Sequence, residues 1–375
     1  MKKTDKIYVA GHHGRAGSAI LKVLWAKGYV NIVTRSHREL NLKDSRATAS
    51  FFKMEKPDYV FLAAEKVGSR LMHTKQRADV LYENLMIQNN VIGQSQYHNV
   101  KKLLFLGSPC VYPKSAPWPV KEKSLLTDAL DYTHEPYALA KIAGIKMCEG
   151  YNIQYGTNFI SVVPAHFYGP SDDFNLETSH PLPKLIRKIY LGKALENDDW
   201  EAIRTDLNKR PIKGITGKAN KGEIAHIIGR FGVRRIDNKK VMVEVGGNGK
   251  TRGEFLWSGD MADACIFLMK NEYVNGAINV TPSSGSRSYL EAASNKMRNT
   301  PINIGTGKEI SIAQLAKTIK VVLRFKGILA FNDCPLDGEL RRLADNTKLN
   351  NLGWKPRVSL KEGIEQLYRW YILKS

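Results

Sequence analysis

The stretch Lys6-Ile-Tyr-Val-Ala10-Gly11-His-His-Gly14-Arg-Ala-Gly17 decides the fold of this chain. A short apolar strand runs into a glycine-rich turn, and the turn opens a helix that we predict from Gly17 to Lys27. Glycines allow a tight turn and let backbone amides approach a pyrophosphate at a helix N-terminus. The spacing G-x-x-G-x-x-G therefore predicts a dinucleotide site that includes Gly11, Gly14, Arg15, Ala16 and Gly17.

Strand and helix patterns alternate beyond this turn. Continuous apolar runs, typical of parallel strands covered on both faces, predict strands at Val30–Thr34, Asp58–Ala64, Leu103–Leu106 and Phe159–Val163. The pattern predicts an α/β protein with a Rossmann-type doubly wound parallel sheet. We place the dinucleotide-binding domain at residues 1–190, with part of 241–270 returning to it. A smaller α/β substrate-binding lobe is expected at residues 191–375, with a basic insertion at 195–240.

Composition sets the class of protein. Among the 375 residues, 43% are hydrophobic and 25% are charged, which is ordinary for a soluble globular protein. No apolar run approaches the ~20 residues of a membrane-spanning helix, and no signal-peptide pattern opens the chain. The four cysteines lack the paired spacing of metal or redox sites. We therefore expect a cytoplasmic protein with no metal site and no contact with a membrane.

The formal net charge of +21 needs a separate explanation. Eleven Lys or Arg residues and only three acidic residues lie between Ile203 and Lys240. Such a run is typical of a solvated basic insertion, and it could also help to hold a nucleotide diphosphate. Nucleic-acid binding on a catalytically dead Rossmann fold is a further alternative. The stretch lacks the interleaved aromatic residues of single-strand binders, which disfavours that alternative.

The residues after the second predicted strand indicate which nicotinamide cofactor binds. An acidic residue at this place would bind a ribose hydroxyl, whereas basic residues accommodate a 2′-phosphate. The chain has Arg35-Ser-His37-Arg38 here, with no carboxylate before Glu39. This arrangement favours NADP(H), bound in part by Arg35, His37 and Arg38.

A tyrosine and a lysine four residues apart, Tyr137 and Lys141, follow the strand that ends at Ser108. On a helix, this spacing places both side chains on one face. A neighbouring ammonium favours the phenolate, so we expect Lys141 to lower the pKa of Tyr137 and make it a usable proton donor. The Ser108 hydroxyl could bind the same reacting oxygen.

These motifs, together with Cys110-Val-Tyr-Pro-Lys114, Tyr168-Gly-Pro170, Ile304-Gly-Thr-Gly307 and Asn351-Leu-Gly-Trp354, resemble those of a known family. The chain resembles the extended short-chain dehydrogenase/reductases and, within them, the GDP-L-fucose synthases. The resemblance implies NADPH-dependent C3/C5 epimerisation and C4 reduction of a GDP-4-keto-6-deoxy sugar, for surface-glycan synthesis, in a homodimer. An alternative is C4 reduction of a GDP-4-keto-heptose without epimerisation.

The resemblance also implies roles for individual residues. Tyr137 would protonate the sugar oxygen O4, Lys141 would bind the nicotinamide ribose, and Ser108 would polarise the C4 carbonyl. Cys110 would act as the base and His180 as the acid of epimerisation. Further cofactor contacts would come from Ala63, Ala64, Pro164, His166, Phe167 and His180. Substrate contacts would come from Lys188, Arg252, Asp337 and Arg341.

Three loops depart from the family pattern where the sugar and the nucleotide should bind. They are Val67-Gly-Ser69-Arg70-Leu-Met-His73, Pro164-Ala-His166-Phe-Tyr168-Gly-Pro170 and Gly246-Gly-Asn-Gly-Lys250-Thr-Arg252-Gly-Glu254. The departures bear on which sugar is the substrate more than on the class of reaction.

Overall fold

The computed structural model describes residues 1–67, 74–237, 240–271, 300–332 and 343–374. The chain divides into two compact units. The first comprises Met1–Phe167, Ser258–Gly307 and Leu343–Arg357, and the second comprises Tyr168–Trp257, Lys308–Arg342 and Val358–Ser375. Residues 168–190, which we expected in the first domain, belong to the second unit, whereas residues 258–270 belong to the first.

The elements follow one another as strands and helices along the chain. The strands are β1 (Ile7–Ala10), β2 (Ile32–Val33), β3 (Tyr59–Leu62), β4 (Lys102–Leu106), β5 (Phe159–Pro164), β6 (Phe167–Tyr168), β7 (Val233–Arg235), β8 (Val241–Val245), β9 (Arg252–Glu254), β10 (Leu256–Trp257), β11 (Ile302–Ile304), β12 (Glu309–Ser311) and β13 (Ile328–Phe331). The α-helices are α1 (Arg15–Ala26), α2 (Ser45–Glu55), α3 (Arg77–Tyr97), α4 (Glu135–Tyr155), α5 (Pro181–Glu196), α6 (Trp200–Lys209), α7 (Lys221–Arg230), α8 (Ser258–Lys270), α9 (Ile312–Leu323), α10 (Thr347–Asn351) and α11 (Leu360–Lys374).

The first unit is built on a six-stranded sheet in the order β11-β5-β4-β3-β1-β2. Each neighbouring pair runs parallel. Every residue of β1, β4 and β5 is buried, as expected for strands covered on both faces. The strand order reverses at β1, so a crevice opens beyond the carboxyl ends of β1 and β3. The predicted fold class is confirmed in this unit.

The second unit has its own core. Strand β8 pairs antiparallel with β7 and parallel with β13, and β9 pairs antiparallel with β12. Apolar residues of α5, α6, α7, α9 and α11 pack with β8 in one buried cluster. Arg187 and Asp206 are also fully buried there, joined by an ion pair of 2.9 Å. Asp206 accepts a further hydrogen bond from Tyr371.

The basic segment is ordered in its described part. It forms α6, α7 and β7, which pack through Ile203, Leu207, Ile224 and Ile228. Several of its arginines have protein partners: Arg234 pairs with Glu244 and Arg235 with Asp198, each at 2.7 Å. Arg204 donates to the carbonyl oxygens of Gly217 and Ala219. Part of the basic segment's positive charge is therefore bound to groups of the protein itself.

Candidate active site

The glycine turn after β1 forms a cradle against the loop after β3. Gly11 has a φ of +83°, and a Cβ there would lie 2.6 Å from the Cα of Ala64. A Cβ at Gly17 would lie 2.6 Å from the carbonyl carbon of Gly11, and Gly14 donates its amide to the Gly11 oxygen at 2.9 Å. Only glycine fits at positions 11 and 17. The chain thus passes close to Ala63 and Ala64, as a pyrophosphate cradle requires.

Helix α1 begins beside this cradle without a side-chain cap. Its N-cap is Gly14, and its first turn contains no acidic residue. The amides and the positive end of the helix dipole therefore suit an anion. Arg15 lies with its guanidinium 5.1 Å from the centre of the Phe167 ring, which brings two predicted cofactor residues together. The residues present fit a dinucleotide phosphate.

The basic residues after β2 have different surroundings. The Arg35 guanidinium pairs with Glu55 at 2.5 Å and donates to the Thr34 oxygen at 2.8 Å. His37 and Arg38 are exposed. Glu39 accepts the amide of Ser36, and that hydrogen bond is the main cause that lowers the pKa of its carboxyl. A 2′-phosphate would find His37 and Arg38 accessible, whereas Arg35 would have to share its charge with Glu55.

One residue of the cradle was not predicted as part of the site. The Nδ1 atom of His12 is buried and has no hydrogen-bond partner among the described residues, and its ring centre lies 4.0 Å from that of His13. Burial, followed by the neighbouring His13, lowers the pKa of His12. A neutral imidazole in this turn leaves a polar atom available to a ligand.

Tyr137 and Lys141 lie on one face of α4 and are both buried. The Lys141 Nζ is 5.6 Å from the Tyr137 ring centre and donates to the Leu106 oxygen at 2.8 Å. Glycine at 144 lets α4 approach the sheet, because a Cβ there would collide with the ring of Phe105. The helical prediction for this pair is therefore matched by the described structure.

Ser108 and Cys110 follow β4 at the same edge of the sheet. Cys110 lies in the 3₁₀ turn Pro109–Val111. Its thiol donates a hydrogen bond to the Ser108 hydroxyl, with 3.2 Å between Sγ and Oγ. Cys110 packs in one apolar cluster with Tyr137 and Val80. Ser108, Cys110, Tyr137 and Lys141 thus form one group within the first unit.

An acidic residue, Glu65, completes this group. Its Oε2 atom lies 2.7 Å from the Tyr137 hydroxyl, which donates to it, and 2.7 Å from the Lys141 Nζ. Burial raises the pKa of Tyr137 well above 10, and electrostatic interactions with Glu65 and Cys110 raise it further. Our expectation that Lys141 would lower this pKa is wrong for the described arrangement, because burial raises it and because the Glu65 carboxylate pairs with the ammonium and accepts a hydrogen bond from the phenol. A sequence signal for Glu65 existed: it follows β3 as Ser108 follows β4.

The remaining predicted residues lie elsewhere. Pro164 ends β5, with His166 and Phe167 directly after it in the first unit. His180 is exposed and precedes α5 in the second unit. Asp337 and Arg341 lie outside the described residues, as do Ser69, Arg70 and His73.

Two predicted substrate residues are described in the second unit. The Lys188 ammonium donates a hydrogen bond to the backbone carbonyl oxygen of Glu244, and burial lowers the pKa of Lys188 to about 8. Gly232, with a φ of +81°, passes so close that a Cβ would lie 3.3 Å from the Lys188 Nζ. Arg252 pairs with Glu309 at 2.6 Å.

The chain is similar to known proteins over nearly its whole length. The model of the NAD dependent epimerase/dehydratase family matches residues 7–209. The chain belongs to this family. GDP-L-fucose synthase 1 of Arabidopsis thaliana is 40% identical over 370 residues, which cover 99% of this chain and 94% of that protein. The resemblance to GDP-L-fucose synthases is therefore confirmed.

Two solved structures from Campylobacter jejuni are also similar. A GDP-D-glycero-L-gluco-heptose synthase, solved in the presence of NADPH, has a TM-score of 0.85 at 41% identity, covering 99% of each chain. The GDP-mannoheptose C4 reductase MlghC, with NADP bound, has a TM-score of 0.83 at 41% identity and the same coverage.

None of the helices in the described part of the chain is long and apolar enough to cross a membrane. Within the same part of the chain, no group of at least three His, Cys, Asp or Glu side chains could hold a metal ion.

Proposed function

We propose that this protein reduces the C4 carbonyl of a GDP-4-keto sugar with NADPH. The observation that carries the proposal is the group of Ser108, Tyr137 and Lys141 at the carboxyl edge of the sheet, beside the glycine cradle. Both the GDP-L-fucose synthases and the Campylobacter reductases that resemble the chain support this class of reaction.

NADPH, when bound, supplies the hydride for the carbonyl carbon. The protein's residues then have to hold the carbonyl and neutralise its oxygen. The Tyr137 hydroxyl gives its proton to that oxygen, and the Ser108 hydroxyl donates a hydrogen bond to it. Because burial keeps the pKa of Tyr137 high, the phenol carries this proton at neutral pH. Lys141 holds its place through the Leu106 oxygen.

We propose that C3/C5 epimerisation precedes reduction, as in the GDP-L-fucose synthases. The supporting observation is the Cys110 thiol, 3.2 Å from Ser108, where a base could take a proton from a carbon next to the carbonyl. His180 is proposed as the partner acid, and Lys188 and Arg252 as GDP contacts. The second candidate, C4 reduction of a GDP-4-keto-heptose without epimerisation, is supported by the 41% identity to the heptose enzymes.

The reaction can be tested with purified protein, NADPH and GDP-4-keto-6-deoxy-mannose. We expect NADPH oxidation, which Tyr137→Phe should slow by about 10²- to 10⁴-fold because the proton donor is lost. NADPH binding should persist. Tyr155→Phe is the matched control, because Tyr155 ends the same helix and is exposed. If the two variants react equally fast, Tyr137 is not the donor.

Deuterium incorporation and turnover rates distinguish the two candidate functions. In heavy water, epimerisation should introduce deuterium at C3 and C5 of the product, read by NMR. Reduction without deuterium there would contradict the epimerase step. Faster turnover of the heptose substrate than of the hexose would favour the second candidate.

We also propose a cytoplasmic homodimer. Cys148 and Cys265 are free thiols, which suits a reducing compartment. The helices α3 and α4 carry exposed apolar residues, Tyr82 at 63% and Leu139 at 44%, on a pair of elements suited to self-association. Light scattering should give twice the mass of the 42.2 kDa chain, and Leu139→Glu should reduce it.

A further inference from the structure

Glu65 has no part in the reaction as described above, yet it contacts both Tyr137 and Lys141. Resting on the proposed reductase function, we propose that Glu65 is a positioning residue: its carboxylate keeps the Tyr137 phenol protonated and aligned with Lys141. The same Oε2 atom accepts from the phenol and pairs with the ammonium, each at 2.7 Å.

The place of Glu65 is built by its neighbours in the chain. On one side, Ala63 donates its amide to the Ala10 oxygen at 3.0 Å and continues the sheet pairing. On the other side, the buried Asn84 side chain accepts the Lys66 amide and donates to the Lys66 oxygen, both at 2.9 Å. Glu65 is thereby held between two anchored residues.

The charges around Tyr137 explain why its phenol stays protonated. The Lys141 ammonium is fixed by the Leu106 oxygen and paired with Glu65, so it contributes little net positive charge to the phenol. Cys110, which lies in one buried cluster with Tyr137, also disfavours a phenolate, whereas a hydrogen bond from Ser108 favours one. Loss of the phenol proton would leave two anions at hydrogen-bond distance in a buried place. Glu65 therefore holds the phenol in its protonated form before the reaction.

Glu65 is more exposed to solvent than the two residues that it contacts. The Lys141 side chain is 3% exposed, whereas that of Glu65 is 26% exposed. Only Tyr137 and Lys141 are deeply enclosed, so a change at Glu65 should disturb packing less than a change at either of them. Glu65→Gln, which keeps the shape and removes the charge, is the most direct perturbation.

The test measures the ionisation of the phenol itself. Tyr137 is replaced by a fluorinated tyrosine, whose phenol ionises at lower pH, and ¹⁹F NMR follows that one group without substrate or NADPH. Glu65→Gln should move the ionisation down by roughly one to three pH units, the usual effect of a charge at this distance. Glu65→Asp, which keeps a carboxylate, should move it less. Glu83→Gln is the matched control and should not move it, because Glu83 pairs with Lys43 and Lys66.

A second readout is the pH profile of NADPH oxidation. An acid that must be protonated fails above its ionisation pH, so Glu65→Gln should shift the alkaline loss of kcat to lower pH. An ionisation in Glu65→Gln that equals that in Glu83→Gln would overturn the role of Glu65, even in an active reductase. A clear fluorine shift in a protein without reductase activity would support Glu65 and contradict the proposed function instead. If Glu65→Gln does not fold, an ionisation in the otherwise native protein below that of the free fluorinated tyrosine would also overturn the proposal.

Discussion

The glycine cradle gives a prediction whose size can be worked out from paired substitutions. Gly17 lies in α1 and Gly150 in α4, so each Gly→Ala change gains about 1 kcal/mol of helix propensity. A Cβ at Gly150 would meet no atom within 4 Å. A Cβ at Gly17 would lie 2.6 Å from the Gly11 carbonyl carbon and 2.9 Å from the His12 Cα. The gain in helix propensity is the same in both variants. The difference between their free energies of unfolding therefore reports the collision at Gly17 alone.

The collision at Gly17 cannot be relieved cheaply. The atoms it meets are backbone, and Gly11 is itself confined by its left-handed conformation and by Ala64. Forced contacts of this kind cost about 1–3 kcal/mol, which is the expected difference between the free energies of unfolding of the two variants. Moving the turn should also weaken NADPH binding by about tenfold for each 1.4 kcal/mol of lost contact.

The assay combines urea unfolding with titration of NADPH fluorescence. Gly150→Ala should be at least as stable as the unsubstituted protein and bind NADPH unchanged. Compared with Gly150→Ala, Gly17→Ala should unfold at a lower urea concentration and bind NADPH more weakly. Equal unfolding midpoints and equal NADPH affinity for the two variants would refute the close passage of the chain at Gly17.

Two further predictions concern charged groups of the second unit. Because burial lowers the pKa of Lys188 to about 8, its charged fraction falls about tenfold between one pH unit below and one above that value, and GDP affinity measured by calorimetry should fall with it. Lys188→Arg, which stays charged, should remove this pH dependence, and an unchanged profile would exclude Lys188 as a GDP contact. Asp206→Ala should destabilise the protein by roughly 3–5 kcal/mol in urea unfolding, because it leaves the buried Arg187 guanidinium without its carboxylate. Glu177→Ala, which breaks the half-exposed pair with Lys213, should cost less than about 1 kcal/mol, and equal costs would contradict the difference in burial.

Helix α3 shows where sequence patterns fail. Its buried face includes Asn84 and Gln88, which donate to the Lys66 and Ala140 oxygens. Polar residues that are buried because distant backbone groups need partners do not produce an apolar stripe, so no helix was predicted over residues 77–97. The adjacent strands were predicted because their apolar runs are continuous.

The basic segment shows a second limit. Its charge count is visible in the sequence, but the count says nothing about pairing. Arg234 and Arg235, on β7, pair with Glu244 on β8 and with Asp198 in the turn between α5 and α6. Whether a basic run binds a partner or its own protein depends on where the chain places the acids.

The apolar strands, the glycine turn and the shared helix face of Tyr137 and Lys141 could be predicted from the sequence, because each depends on residues close together in the chain. The chemistry of that face could be read only from the folded structure. Glu65 is 72 residues from Tyr137 in sequence but 2.7 Å away in space, where burial removes the solvent that would weaken its charge. Local spacing predicted a phenol with a lowered pKa, whereas burial of Tyr137 and, after it, the Glu65 carboxylate raise that pKa.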